Sequence, residues 1–102
     1  LISRLNLKNI KKLPHIQNIM RHLKIHDILI SISDSLERFD KSLIFYDIIY
    51  KFLYYFTYKN FHNQLILKQR FQYFLGRIGN YKHVGDLIIE ILNVYKDRNK
   101  VY

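Results

Sequence analysis

The chain has 102 residues, 49% hydrophobic and 25% charged, with 17 Lys and Arg against 8 Asp and Glu and a formal charge of +9. That length fits one domain around one core, and the share of large apolar groups excludes a disordered chain. Cysteine is absent, which excludes disulfides, thiolate metal sites and cysteine nucleophiles.

Leu1, Ile2, Leu5, Leu7, Ile10 and Leu13 follow neither helical nor strand spacing cleanly. They predict a short helix or docking arm over 1–13, since Pro14 turns the residue before it away from helical geometry. Pro14 then fits the first turn of a new helix, in which Ile16, Ile19, Met20 and Leu23 recur at i, i+3, i+4 and i+7. Ile28, Ile30 and Ile32 would suit a strand, but the sequence offers no partner strand, so the helix is expected to continue to about Ile32. Asp34-Ser35-Leu36-Glu37 has the form of a capping box and predicts the start of a long helix at Asp34.

In that helix Leu36, Phe39, Leu43, Tyr46, Tyr50 and Leu53 form one apolar stripe, with Ile44, Ile48, Phe52 and Tyr55 forming a second beside it. The joint arc is wider than one neighbour can cover, so the helix is either central to a bundle or faces another macromolecule. Its beginning reads as core, with Tyr46, Tyr50, Leu53 and Phe56 expected to be buried, and its end, Lys51 to Phe61, as the place where core passes into contact surface. Thr57 to Asn63 ends it, a further helix is predicted over 63–75, and Gly76, Gly79 and Asn80 suit the closing of helices. A basic exposed loop over 77–85 follows, then a last helix capped by Asp86, with Leu87, Ile88, Ile91, Leu92 and Tyr95 on its apolar face, and a loose tail over 98–102. The expected fold class is therefore all-α: one domain over 1–102, a small bundle of four to five helices with a long central aromatic-rich helix. No membrane span is predicted, because Asp47 and Lys51 interrupt the longest apolar stretch, where lipid makes each costly.

The distribution of charge says more than its sum. The first 26 residues carry six cations and no acid, as does the stretch from Ile48 to Gly85, while five of the eight acids fall between Asp27 and Asp47. Two acid-free regions of this kind attract a polyanion, nucleic acid above all, and an anionic membrane surface by the same force. The candidate phosphate contacts are Lys8, Lys11, Lys12, Arg21 and Lys24 in one region and Lys51, Lys59, Lys68, Arg70, Arg77 and Lys82 in the other. Tyr54, Tyr55, Tyr58 and Phe61, interleaved with Lys51 and Lys59, could stack on unpaired bases or dock on a protein.

Other motifs point elsewhere and more weakly. His22 and His26 lie four apart on one expected helix face, yet nothing completes a closed ligand set, so no metal or cofactor is expected. Gly76-Arg77-Ile78-Gly79 resembles the backbone-clamping loop of KH domains, which implies nucleic acid binding. A KH domain also needs a three-stranded sheet and a helix directly after the loop, whereas Asn80 to Gly85 intervene here and helix closure accounts for both glycines. Asp34, Glu37 and Asp40 read as capping and solvated residues, the five serines have no His and Asp arrangement, and no glycine loop is followed by a lysine. Neither catalysis nor a small-molecule substrate is expected.

There is no alanine, with one proline, three glycines and one threonine. Alanine is the best helix former, so its absence from a helical chain needs a cause outside folding; codon bias in an AT-rich genome supplies one and points to an organelle. The only methionine is Met20, so Leu1 is expected to arise by processing, as a fragment or from an unusual start codon. Together these features predict a non-catalytic structural protein of an organellar, mitochondrial ribosome, bound to ribosomal RNA and neighbouring ribosomal proteins in the matrix. The alternatives are a docking subunit of a large organellar complex such as a respiratory assembly, and a small helix-turn-helix DNA-binding protein.

Overall fold

A computed structural model describes residues 12–39 and 43–98. The expected docking arm, except its last two residues, lies outside them, as do Lys8, Lys11, Asp40 and most of the expected loose tail. The described chain is helical, with no strand, and the all-α bundle is the observed architecture.

Helix α1 (Leu13–His22) has Pro14 in its first turn, where a missing amide hydrogen costs nothing. It stops at Leu23–Lys24 instead of running on to Ile32, and Lys24 adopts φ +56°, a left-handed geometry unusual outside glycine. The reversal lets α2 (Ile25–Phe39) start in a new direction, so that His26 stacks on Phe56 at 5.0 Å and Ile30 enters the core. Residues 27–33 are helical throughout. Asp34 lies mid-helix instead of at a helix start, and the Glu37 carboxylate turns to Arg77 instead of reaching back to an N-terminal amide.

Helix α3 (Leu43–Thr57) is the centre of the bundle. It runs antiparallel to α2, since Ser33 meets Tyr50 while His26 meets Phe56. Tyr46, Tyr50, Leu53 and Phe56 recur at helical spacing and are all buried, as the spacing requires. Around them close Leu67 of α4 (Phe61–Lys68), Phe74 of α5 (Phe71–Leu75), and Val84, Leu87, Ile88 and Ile91 of α6 (Val84–Leu92). Each such side chain contributes about 1.5–3 kcal/mol by leaving water. Tyr81 adds an aromatic lid, its ring 4.7 Å from Tyr46 and 5.4 Å from Tyr50.

The helix expected over 63–75 is two segments broken at Gln69–Arg70, and the first begins earlier, where the Asn60 side chain caps it by accepting from the Asn63 amide at 3.0 Å. Helix α6 starts at Val84, so Asp86 sits inside its first turn and interacts with the helix dipole without capping it. After Asn93 the chain resumes as α7 (Val94–Asp97).

The apolar arc of α3 follows expectation in part: Tyr46, Ile49 and Tyr50 are buried and Tyr54, Tyr55 and Tyr58 stay partly exposed, but the second stripe departs from it. The exposed large apolar side chains of the helix are early ones, Ile44 at 71%, Phe45 at 53% and Ile48 at 57%, while Phe56 and Thr57 near its end are fully buried. The end is enclosed because α1, α4 and α6 all converge on it.

Candidate nucleic-acid interface

The convergence is built from amides. The last carbonyls of a helix have no partner within it, and in α3 they are met by side chains from two other helices. Gln17 of α1 donates to the Tyr55 and Tyr58 carbonyls at 2.7 and 2.8 Å. Asn63 of α4 donates to Phe56 at 2.8 Å and to the Gln17 carbonyl at 3.2 Å, and Gln64 donates to Thr57 at 3.1 Å. The Thr57 hydroxyl turns back to the Leu53 and Tyr54 carbonyls. Lys59 adopts φ +52°, and its amide is fixed by the Glu90 carboxylate at 2.8 Å. Gln64 also donates to Glu90 and, at 2.8 Å, to Asp97, so two buried carboxylates close the cluster.

These contacts fasten the two acid-free regions of the sequence to each other. The Asn60 amide donates to the Gln17 side chain at 3.1 Å, and the Arg21 guanidinium donates to Asn63 at 2.9 Å and Asn18 at 3.1 Å. Helices α1 and α4, neither of which contains an acid, thus form one side of the molecule. Lys12 and Lys24 lie exposed at the two ends of α1, Lys59 is exposed at the α3–α4 turn, and Lys51 is partly exposed on α3. Among the described residues none of these four lysines meets a carboxylate. Lys59 instead sits over the Tyr58 ring, 5.3 Å from its centroid.

The other expected patch is differently employed. Arg70 pairs with Asp27 at 2.8 Å, both groups well exposed. Arg77 makes a two-pronged pair with Glu37 at 2.7 and 2.8 Å, donates to the Tyr73 carbonyl and lies 3.5 Å over the Tyr73 ring. Burial works against the Arg77 charge, and the Glu37 carboxylate beside it more than restores it. Lys68 meets the Tyr95 hydroxyl and lies 4.4 Å over that ring. Of this group Lys82 is exposed with no partner among the described residues. Arg70 and Arg77 therefore tie the chain after α4 back onto α2, a use that sequence spacing could not distinguish from phosphate binding.

His22 and His26 do not share a helix face: the Lys24 turn separates them, leaving His22 exposed on α1 and His26 buried on α2. Burial pushes the His26 imidazole below its ordinary range; Asp27, 3.7 Å away, opposes this, while Arg70 and Lys24 reinforce it. No group of three His, Cys, Asp or Glu among the described residues could hold a metal ion. The Gly76–Gly79 segment is a series of turns with Gly79 at φ +84°, and the next helix begins only at Val84. No helix among the described residues is long and apolar enough to cross a membrane.

No known protein family, curated protein or solved structure matches this chain. The residues that sequence reasoning missed are Gln17, Asn63 and Gln64, because their partners are main-chain carbonyls and such pairing leaves no periodic signature. Asn60 alone carried a legible signal, an amide side chain just before a helix.

Proposed function

We propose that this chain is a non-catalytic RNA-binding protein, a structural component of an organellar ribosome that contacts ribosomal RNA through the α1–α4 side. The observation that carries the reading is the joining of two acid-free sequence regions by Gln17, Arg21, Asn60 and Asn63, with Lys12, Lys24, Lys51 and Lys59 around them lacking carboxylate partners among the described residues. A rigid protein surface with unpaired ammonium groups attracts phosphate at long range and gains by counterion release on contact. The ribosomal setting comes from composition: a basic helical chain without alanine suits a small ribosomal protein of an AT-rich organelle.

The test is co-sedimentation of the native protein with ribosomal particles in a sucrose gradient; absence from every ribosomal fraction ends the ribosomal part. For RNA binding itself, four phosphate contacts predict that affinity for structured RNA falls roughly a hundredfold between about 50 and about 200 mM salt.

A second reading rests on the exposed Ile44, Phe45 and Ile48 of α3 with Ile28 and Ile32 of α2. Apolar side chains in that number suit a docking subunit within a larger protein complex. Its association would be nearly insensitive to salt, which separates it from the RNA reading.

A further inference from the structure

Beyond a general affinity for phosphate, one edge of α3 has the chemistry for bases. We infer that the Tyr55–Tyr58 edge, flanked by Lys51 and Lys59, receives an unpaired stretch of RNA whose bases stack on the two rings. The inference rests on the RNA-binding reading and narrows it to one place and one form of RNA.

Four observations carry it. Both rings are only partly buried, and neither hydroxyl has a hydrogen-bond partner among the described residues. Their backbone is immobilised, since the Gln17 amide clamps the Tyr55 and Tyr58 carbonyls together, so the rings need little further ordering on binding. The flanking cations are fixed by the fold: Lys51 lies one helical turn before Tyr55, and Lys59 is set over Tyr58 by a left-handed turn whose amide is bound to Glu90. Tyr54 bounds the edge on the other side. Burial, then the nearby Glu90 carboxylate, pushes its hydroxyl above its ordinary range, and the negative charge of Glu90 and Asp86 disfavours phosphate on that flank.

A duplex offers no free base face to an aromatic ring, and its deep groove excludes side chains; splayed, unstacked bases offer both face and edge. Rings interleaved with lysine at helical spacing therefore favour single strands, with little dependence on sequence.

The experiment uses the full chain with a single-stranded RNA of about ten nucleotides and a blunt duplex of the same length, followed by anisotropy and by tyrosine emission, which the absence of tryptophan makes readable. The expected result is clear preference for the strand, with quenched tyrosine emission on binding. Tyr55→Leu with Tyr58→Leu should lower strand affinity by about tenfold or more and leave duplex affinity unchanged, while the matching Phe pair keeps the affinity. If the Leu pair does not fold, the strand preference and quenching of the unaltered protein decide. Equal affinity for strand and duplex without quenching overturns this inference and leaves RNA binding standing. No affinity for either RNA overturns both.

Discussion

The two halves of α3 have similar composition and opposite fates. The first half carries Ile44, Phe45 and Ile48 into solvent, whereas the second ends among Gln17, Asn63, Gln64, Glu90 and Asp97, all buried. Here amide side chains are more enclosed than isoleucines. Burial at the second half follows from the demand of terminal carbonyls for donors, which only side chains from outside the helix can supply. Burial at the first half follows ordinary spacing: one stripe faces the core, and the neighbouring stripe is left over.

The largest expected effect lies in the amide cluster. Asn63→Ala removes the donors to the buried Phe56 and Gln17 carbonyls and the acceptor of Arg21. Each buried group left unmatched costs about 1–3 kcal/mol, so a loss of about 3 kcal/mol is expected, against roughly 5–15 kcal/mol for a whole domain. Urea unfolding measures it. A loss below about 1 kcal/mol would mean that water replaces the amide, and the contrast between the two halves would collapse.

Next comes acid sensitivity, again at the buried end. His26 stacks on Phe56, its Nδ1 is buried without a partner among the described residues, and burial lowers its affinity for a proton in the folded state. The unfolded chain then binds the proton more readily. Stability contributed by neutral His26 is complete above the unfolded value of about 6.5 and is lost as pH falls from there toward the lower folded value. One proton limits the slope to about 1.4 kcal/mol per pH unit. Unfolding of the native chain and of His26→Phe between about pH 7.5 and about pH 5 separates this group from the carboxylates that titrate lower. Parallel curves would show that His26 is already solvated.

How much of this could be read from the sequence depends on what each residue answers to. Tyr46, Tyr50, Leu53 and Phe56 answer to periodicity, and both the all-α class and the centrality of this helix followed from them. Lys24 answers to tertiary direction: nothing local marks it as a break, since the apolar spacing of Ile19 and Leu23 continues into Ile28 and Ile30. The capping box at Asp34 misled because Glu37 fits Arg77, forty positions away in sequence, better than its own backbone. For the candidate interface, acid-free regions were legible as charge, yet which cations remain unpaired depends on contacts from α2 to Arg70 and Arg77 that no linear pattern announces.

A smaller effect is expected at Arg77, which fastens the turn carrying Tyr81 over the early half of α3. Arg77→Lys keeps the charge but loses the planar fork that meets both Glu37 oxygens. The pair is partly exposed, with side chains at 20% and 23%, so about 1 kcal/mol is the expected loss in thermal or urea unfolding. RNA affinity should be unaffected. A drop in affinity at unchanged stability would assign Arg77 to phosphate after all.

The smallest effect is the one that divides the two functional readings. Ile44→Ser and Ile48→Ser remove apolar groups that the fold leaves in water, so each should change the stability of the isolated chain by less than about 0.5 kcal/mol. A loss of more than about 1.5 kcal/mol would mean these side chains are packed, and the contrast along α3 would fail at its exposed half. With stability unchanged, the same variants bear on partnership. An RNA-bound protein keeps its salt-sensitive association, because phosphate contacts lie on the α1–α4 side and do not involve these isoleucines. A docking subunit loses its place in its complex, since two apolar contacts at the centre of an interface can each contribute more than 1 kcal/mol by the usual scale of such truncations. The double variant, followed through native fractionation at low and at high salt, therefore reads which face of the molecule is occupied.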